Sequence, residues 1–482
     1  MNSLNELQPQ ELWKHFAALC AIPRPSKKEA KAAEWVKNFA IEQGLDYTVD
    51  AVGNVIIRKS AVAGMENRPG VVLQSHLDMV PQKNSEIQHD FEKDAIEAYV
   101  DGDWVKARGT TLGADNGIGV AAAMAVLEAK NIVHGPIEAL FTIDEETGMT
   151  GANGLQAGIL KGSVFINLDS EEEGELFIGC AGGINVTTEV AYEVEPADPA
   201  TEAWKITLSG LKGGHSGTDI NIGRGNANKI LARFLWETEK KYDLRLLSIE
   251  GGNMRNAIPR EAAAICTVPA DKSVALKADA AAFLQKISNE LEGVEQGIVF
   301  TVEKTSLPHS IMTRASQKKI VNTICVMPDG ARRMIADMQD VVETSTNLAI
   351  VKSDGRQVHI ASLLRSSVDS AKEALADELA ALCELTGNKA VSNGGYPGWK
   401  PNFNSNILTV MKEVYRKCFQ KEVLVKVIHA GLECAIFGKN YPDMDYISFG
   451  PTILHPHSPG EKVNVPSVER FWQYLLETLK AV

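Results

Sequence analysis

Short, nearly continuous runs of apolar residues recur in the N-terminal third of the sequence and constrain its fold more than any other feature. The clearest runs are residues 71–74, 137–143 and 164–168, and an Ala-rich segment with high helix propensity, residues 118–130, lies between the first two. Strands of this kind are buried on both faces of a sheet, and their alternation with helices is typical of α/β proteins. The sequence therefore predicts an α/β domain.

The pattern changes near residue 185. Residues 184–190 and 204–208 alternate apolar with polar positions, which favours antiparallel strands exposed on one face. Helical segments are predicted at 226–241 and 272–291. Between the two alternating runs, the Glu-, Pro- and Asp-rich residues 194–201 predict a loop. An α+β domain is therefore expected in this part of the chain.

A Gly-rich segment, residues 392–398, predicts a linker, and helix, strand and helix return after it. The simplest organisation is an α/β domain that is interrupted by an insertion. We expect residues 1–184 and 393–482 to form the first domain. Residues 185–392 would form the inserted α+β domain, which has an ordinary domain size.

Acidic residues outnumber basic ones, because 62 Asp and Glu stand against 49 Lys and Arg and give a formal net charge of −13. Nucleic acids and anionic membranes both favour basic proteins, so this balance argues against binding to either. No segment approaches the ~18 consecutive apolar residues that span a bilayer. The N-terminus also lacks the basic start and apolar stretch of a signal peptide. We therefore expect a cytoplasmic protein.

The seven cysteines are scattered along the chain and include no C-x-x-C pair. This spacing argues against a disulfide framework and against a metal site made of thiolates. If the protein holds a metal ion, the expected ligands are therefore His and carboxylate side chains.

Acidic and His side chains repeatedly follow the ends of apolar strands in the first domain. In an open α/β sheet the ligand crevice lies outside the carboxyl ends of the strands, so such positions converge in space. The residues concerned are His76, Asp78, Asp115, Glu145, Glu146, Asp169 and, near the far end of the chain, His457.

This set of side chains suits divalent metal ions. Two His and three carboxylates can hold two ions if one carboxylate bridges them. Asp78, two residues after His76, can orient that imidazole through its second ring nitrogen. Of the adjacent Glu145 and Glu146, one can bind metal while the other moves a proton. Each motif taken alone also fits an ordinary turn or a solvated acidic face.

The order and context of these motifs resemble the M20 metallopeptidases, and the likeness covers essentially the full chain. It is greatest for the bacterial dipeptidases of that family that cleave Xaa-His substrates. The metal-site motifs lie at residues 75–80, 113–117, 145–148, 167–170 and 457–458, and further likeness lies at 64–68, 104–112, 213–217, 256–260 and 428–434.

The resemblance implies two zinc ions per chain, with manganese or cobalt as possible substitutes. Asp115 would bridge both ions. His76 and Asp169 would complete one site, and Glu146 and His457 would complete the other.

The same resemblance implies further roles around this site. Asp78 would orient His76, Glu145 would be the general base, and the peptide bond after Asp115 would be cis. His215, in the inserted domain, would stabilise the oxyanion, although its Gly-rich flanks also fit a simple turn. Further candidates for contacts with the carboxylate or the amine of the substrate are Asn256, Arg365 and Gly431.

The function implied by the resemblance is the hydrolysis of dipeptides, preferentially Xaa-His, by a metal-activated water. An aminotripeptidase and an N-acyl-amino-acid deacylase are alternatives on the same scaffold, and fold likeness does not separate them. The first domain would have the mixed sheet of the di-zinc peptidases. The inserted domain would act as a lid and would form a homodimer, so that His215 could serve its own active site or that of a partner.

Two other classes of protein remain open from the residues alone. Residues 117–122 fit the G-x-G-x-x-A pattern of dinucleotide-binding enzymes, although Asp115 would repel a pyrophosphate at the helix N-terminus. A metal-binding or peptide-binding scaffold without activity is the second alternative. Such a scaffold has no need of the free carboxylate that Glu145 beside Glu146 provides.

Overall fold

The computed structural model describes residues 4–482 and divides the chain into two compact units. The first unit comprises the residues up to Gly179 together with Trp399–Val427 and Leu432–Val482. The second unit comprises Cys180–Gly398 and Ile428–Gly431. No helix in the described part of the chain is long and apolar enough to cross a membrane.

The first unit contains an eight-stranded mixed sheet. Val71–His76 pairs in parallel with both Ile137–Thr142 and Val164–Asn167. Every residue of these three strands is buried, as their apolar sequences require. In order across the sheet, the strands are Asp46–Val49, Val55–Lys59, Ile137–Thr142, Val71–His76, Val164–Asn167, Asp445–Ser448, Glu175–Cys180 and Leu424–Ile428.

The longer helices of the first unit bury most of their apolar residues. Ala114–Glu128 is buried from its start to Leu127 and begins before the segment predicted from the sequence. The helices of this unit are Gln10–Cys20, Ala30–Gln43, Ala114–Glu128, Glu145–Gly148, Thr150–Gly154, Asn406–Phe419, Glu433–Asn440 and Val465–Ala481, with a 3-10 turn at Leu4–Glu6. A separate sheet contains Ile453–Leu454, Lys462–Asn464, Trp104–Ala107 and Ala98–Asp101 in that order.

The second unit is built on a nine-stranded antiparallel sheet. Its strands are, in order, Val299–Thr305, Thr201–Ser209, Ala262–Pro269, Arg245–Gly251, Met338–Ser353, Gln357–Ser366, Gly182–Ala191 and Lys389–Tyr396, with Gly330–Ile335 paired to Met338–Ser353. The helices are Ala227–Tyr242, Ser273–Glu290, Arg314–Val326 and Asp369–Leu385, with a 3-10 turn at Ala270–Lys272. Short ladders pair Val194–Pro196 with Ser310–Met312 and Gly214–His215 with Ala257–Ile258.

The mixed α/β fold predicted from the sequence is confirmed, but two local predictions are wrong. Residues 392–396, predicted as part of a linker, form the end of the strand Lys389–Tyr396. The register against Gly182–Ala191 shifts after Asn393, where Gly394 has a φ of 58°, so the glycines accommodate a bulge. Residues 194–196, predicted as part of a loop, form a strand instead.

The short segment Ile428–Gly431 belongs to the second unit although the chain on both sides of it belongs to the first. The backbone N–H of Ala181 donates to the carbonyl oxygens of Ile428 and Ala430, both at 3.0 Å. His429 Nε2 lies 2.7 Å from Ser345 Oγ. No pattern in the sequence predicts that so short a segment belongs to the second unit.

Asp329 joins two elements of the second unit. It accepts hydrogen bonds from the backbone N–H of Leu348 at 2.8 Å and from the side chain of Asn226 at 3.0 Å. Burial raises the pKa of Asp329 to about 6, although these bonds and Lys229 favour the ionised form. Because the folded pKa exceeds the unfolded value, the stability that this group contributes is present at low pH. That contribution is lost as the pH rises from about 4 to about 6.

We expect Asp329→Asn to remove this pH dependence, because the amide stays neutral and keeps an oxygen that can accept the same bonds. Relative to wild type, its free energy of unfolding should rise between pH 4 and pH 7 by up to about 3 kcal/mol. Urea unfolding at the two pH values measures the difference, with the exposed Asp377→Asn as a control. A difference that does not change with pH would contradict this account of Asp329.

Candidate metal centre

Three parallel strands of the first unit place predicted site residues at one edge of its sheet. His76 is the last residue of its strand, and Glu145 and Glu146 follow the second strand. Asp169 follows the third strand. The carboxyl ends of neighbouring parallel strands lie at the same edge, so the fold itself brings these side chains together.

Asp115 lies between two groups of these side chains, and the peptide bond that follows it is cis, as the resemblance implies. Its Oδ1 is 3.1 Å from His76 Nε2, which is also 3.4 Å from Asp169 Oδ1. Its Oδ2 is 3.1 Å from His457 Nε2, which is also 3.0 Å from Glu146 Oε2. Each oxygen of Asp115 therefore faces a separate pair made of one imidazole and one carboxylate.

These separations fit ligands that share a metal ion. Two ligand atoms that are each ~2.1 Å from one tetrahedral ion lie ~3.4 Å apart, and the N···O separations at this site are 3.0–3.4 Å. His76, Asp115 and Glu146 bring ligand atoms within 4.8 Å of one another. Glu146 Oε1 is buried without a hydrogen-bond partner, as expected of an oxygen that needs a cation.

The buried acids outnumber the imidazoles that could neutralise them. Burial raises the pKa of Asp169 to about 7, with His76 opposing the change and nearby carboxylates adding to it. Burial likewise raises the pKa of Glu145 well above its ordinary value. Hydrogen bonds with Asp115 and Glu146 raise the pKa of His457 to about 11. Divalent cations would supply the missing positive charge.

Asp78 holds the surroundings of His76 in place. Its carboxylate lies 3.3 Å from His76 Nδ1 and accepts hydrogen bonds from the backbone N–H groups of Glu145 at 3.0 Å and Glu146 at 3.2 Å. The hydroxyl of Ser26 donates to it at 2.8 Å. Burial opposes ionisation, but these contacts lower the pKa of Asp78 to about 2. One carboxylate therefore orients the imidazole and fixes the backbone of the Glu145 turn.

Glu461 lies beside the site, and the sequence pattern assigned it no role. Its side chain is 2% exposed, and its carboxylate accepts hydrogen bonds from the backbone N–H groups of residues 112–115 at 2.7–3.2 Å. Consecutive N–H groups at a helix N-terminus attract an anion. Glu461 therefore ties the segment that ends in Asp115 to the loop that carries His457.

Arg24 is the buried cation that complements Glu461. Its guanidinium donates to the carbonyl oxygens of Leu77 at 2.9 Å, Asp78 at 2.8 Å and Gly113 at 2.5 Å. It thereby joins the segment that follows the strand Val71–His76 to the segment that precedes the helix Ala114–Glu128. Gly113 has a φ of 71°, and a Cβ there would lie 2.5 Å from Arg24 Nη2, so this position requires glycine.

A row of buried polar side chains links the strands that carry the site. Glu433 accepts hydrogen bonds from the amide of Gln74 at 2.6 Å and from the hydroxyl of Thr142 at 3.0 Å. The amide of Asn167 donates to Gln74 at 2.6 Å, and the hydroxyl of Ser448 donates to Asn167. Burial raises the pKa of Glu433 to about 8. This row connects four neighbouring strands close to their carboxyl ends.

The alternative that residues 117–122 bind a dinucleotide is wrong. Gly117 and Gly119 pack closely against other residues of the protein and leave no space there for a ligand. A Cβ on Gly117 would lie 2.9 Å from Arg24 Nη2, and a Cβ on Gly119 would lie 2.2 Å from Asn116 Oδ1. The helix N-terminus that would attract a pyrophosphate already holds the carboxylate of Glu461.

The remaining candidates from the sequence lie in the second unit: His215, Asn256, Arg365 and Gly431. His215 Nδ1 accepts hydrogen bonds from the backbone N–H groups of Gly217 and Thr218, both at 3.2 Å. The neutral ring therefore carries its proton on Nε2. Burial, followed by the charge of Arg365, lowers the pKa of His215 and so favours the neutral ring.

Ser216 connects three of these residues within the second unit. It follows His215, its backbone N–H donates to the carbonyl oxygen of Asn256 at 2.8 Å, and its Oγ lies 3.4 Å from Arg365 Nε. Arg365 is 5% exposed and also donates to the hydroxyl of Tyr396 at 2.9 Å. The structure therefore groups His215, Asn256 and Arg365. The fourth candidate, Gly431, is the last residue of the short segment Ile428–Gly431.

Comparisons with known proteins bear on this site. Residues 72–481 match peptidase family M20/M25/M40. The chain is 47% identical to the cytosol non-specific dipeptidase of Escherichia coli K12 over 100% of its own length and 99% of that protein. The crystal structure of aminoacylhistidine dipeptidase from Vibrio alginolyticus, 44% identical, matches with a TM-score of 0.96 over 100% of this chain and 98% of that one. A tripeptidase from Staphylococcus aureus, 17% identical with a TM-score of 0.58 over 98% of each chain, shares the fold alone.

Replacing Glu461 with Gln should loosen the Asp115 segment. Gln keeps one acceptor oxygen but turns its amide N–H group toward two of the backbone donors, so their hydrogen bonds are lost. Each hydrogen bond to a charged group contributes about 1.5–3 kcal/mol. We expect the free energy of unfolding to fall by about 3 kcal/mol and the affinity for divalent ions to fall at least about tenfold. Urea unfolding and competition with a chromophoric chelator measure the two effects.

The control for this variant is Glu469→Gln, at an exposed position on the helix Val465–Ala481. This control should leave both the stability and the metal affinity unchanged. If Glu461→Gln also behaved like wild type, the four backbone hydrogen bonds would not be what holds the Asp115 segment.

Proposed function

This chain belongs to peptidase family M20/M25/M40 and is a hydrolase, and we propose that it is a metal-dependent dipeptidase of broad specificity that prefers Xaa-His dipeptides. Two relatives that match over nearly their full lengths support the proposal. One is named a non-specific dipeptidase and the other an aminoacylhistidine dipeptidase. We also propose a cytoplasmic location, because the first of these relatives is named a cytosol enzyme.

The observation that carries this proposal is the arrangement around Asp115, whose two oxygens face separate imidazole–carboxylate pairs. We assign His76 and Asp169 to one ion, Glu146 and His457 to a second ion, and Asp115 to both. Zinc suits this ligand set, and manganese and cobalt accept similar ligands. When bound, such ions polarise the scissile carbonyl and lower the pKa of the attacking water.

We assign the proton transfers to Glu145. Burial raises its pKa well above the ordinary value, and a general base is most effective when its pKa lies near the working pH. Its carboxylate would take a proton from the attacking water and pass it to the leaving amine. The hydrogen bond from its backbone N–H to Asp78, at 3.0 Å, holds the residue in place. Asp78 acts as a positioning residue through His76.

We assign the catalytic role to residues 1–184 and 393–482 and the role of a lid and dimer-forming domain to residues 185–392. His215 has the tautomer that a donor to the oxyanion requires, with its proton on Nε2. Arg365, Asn256 and Gly431 are assigned to the charged ends of the dipeptide, and a guanidinium suits the carboxylate. We propose a homodimer in which His215 serves its own active site or that of the partner.

Replacing Glu145 with Gln should remove the general base without removing a metal ligand. We expect kcat on a Xaa-His dipeptide to fall by at least about 100-fold while the metal content stays at that of wild type. Initial rates and metal analysis of the same preparation measure both quantities. Glu146→Gln is the matched control, and it should lose metal as well as activity. Near-normal kcat in Glu145→Gln would show that another group moves the proton.

A substrate screen tests the proposed specificity. The metal-loaded protein is assayed with Xaa-His dipeptides, other dipeptides, tripeptides and N-acyl amino acids. We expect kcat/KM to be highest for the Xaa-His dipeptides and at least about tenfold lower for tripeptides and N-acyl amino acids. A preference for tripeptides would identify an aminotripeptidase, and a preference for N-acyl amino acids would identify a deacylase.

A further inference from the structure

A cavity of about 720 Å³ lies beside the turn that carries Glu145, and all of its lining residues belong to the first unit. Its walls come from the start of the helix Ala30–Gln43, from residues 49–55 and from residues 143–150. None of the proposed metal ligands lines it. It is therefore separate from the metal centre but shares a chain segment with it.

The wall of this cavity is largely aliphatic. Val49, Val52, Val55 and Ile143 line it, and Val49 is 46% exposed. Small-molecule sites in proteins combine such apolar walls with a few polar groups that fix the orientation of the ligand. A ligand with a short branched aliphatic body would fit these side chains.

Among the residues that line this cavity, Glu29 has a buried polar atom that lacks a partner. The residue is 4% exposed, and its Oε2 is buried without a hydrogen bond. Burial raises its pKa, as expected of a carboxylate without a counter-charge. The lining residue Lys37, in contrast, donates to Glu34 at 2.7 Å. Asp144 accepts hydrogen bonds from the hydroxyls of two threonines in its own turn.

Glu29 also lies beside the backbone of the Glu145 turn, because Asp144 lines the same cavity. The backbone N–H of Asp144, the residue directly before Glu145, favours the ionised carboxylate of Glu29 and so lowers its pKa, against the larger effect of burial. Asp144 has a φ of 51°, in the left-handed region that non-glycine residues rarely adopt. A ligand that binds Glu29 would therefore act on the backbone that aims the proposed general base.

We propose that this cavity binds a small aliphatic compound with a primary ammonium group, and that its binding changes turnover through Glu29 and Asp144. The ammonium would donate a charge-assisted hydrogen bond to Glu29 Oε2. The aliphatic body would pack on Val49, Val52 and Ile143. The binding itself does not depend on the proposed dipeptidase activity, whereas the effect on turnover rests on it.

Isopentylammonium is the probe, and isopentanol is its neutral counterpart. Isothermal titration calorimetry of the metal-loaded protein should show saturable binding of the probe and at least about tenfold weaker binding of the alcohol. Glu29→Gln should weaken the probe at least about tenfold and leave the alcohol unchanged. Val49→Trp fills the cavity from an exposed position and should abolish binding. Val133→Trp is a matched control, because Val133 is 45% exposed and lies outside the cavity.

Steady-state kinetics separates this site from the metal centre, where an amine could also bind. An amine that competes with the substrate raises KM and leaves kcat unchanged, whereas the probe in this cavity should change kcat at saturating substrate. Val49→Trp should abolish the change in kcat, and Val133→Trp should retain it. Absence of saturable binding, or equal binding in wild type, Glu29→Gln and Val49→Trp, would overturn the site. Binding with an unchanged kcat would overturn the coupling to the turn.

Because calorimetry needs no turnover, these outcomes remain distinct from a failure of the proposed dipeptidase activity. A protein without that activity would still bind the probe if the cavity is a site. A dipeptidase whose probe binding is the same in all variants would retain its function and lack this site.

Discussion

The metal centre depends on one interaction, the hydrogen bonds that the backbone N–H groups of residues 112–115 donate to the carboxylate of Glu461. The start of a helix carries partial positive charge, so a buried carboxylate is stable there. Arg24 complements it by donating to carbonyl oxygens on the two neighbouring segments. This buried anion and cation both bond to backbone groups. They therefore set the position of the chain that carries Asp115, and the ligand geometry follows from that position.

The charge of the site indicates that divalent ions bound there would also stabilise the fold. Burial raises the pKa of Asp169 to about 7 and that of Glu433 to about 8, and repulsion from neighbouring carboxylates adds to both shifts. Cation binding would relieve this repulsion, so the free energy of metal binding also stabilises the fold. Asp78 differs from these acids because His76 and backbone N–H groups lower its pKa to about 2. Asp78 can therefore remain ionised, and it holds His76 and the backbone of Glu145 and Glu146 in position.

Local sequence patterns predicted much of the fold and the candidate ligands that the fold groups together. The strands Val71–His76, Ile137–Thr142 and Val164–Asn167 were predictable because a strand buried on both faces has a continuous apolar sequence. The candidate ligands of these strands could be predicted because each ends its strand or follows it closely in the chain. Residues 392–396 were mistaken for a linker because glycines usually indicate a loop, whereas here the backbone pairs across a bulge. No local sequence pattern predicted that Ile428–Gly431 belongs to the second unit.

Arg24, Glu461 and Glu433 could not be assigned from the sequence for a different physical reason. Each acts on groups that are distant in the chain, and Arg24 and Glu461 bond to backbone atoms that every residue possesses. Their partners therefore have no characteristic residue type, and no spacing rule reveals the contact. Only the folded chain shows that these side chains position the ligands.

The shared use of Asp115 by two ions is the central claim, and the number of ions bound per chain tests it most directly. Elemental analysis after equilibrium dialysis should find two divalent ions per chain in the wild type and one in each of His76→Ala and His457→Ala. Asp115→Ala should retain neither ion tightly. A single ion in the wild type, or two ions retained in His457→Ala, would contradict the account.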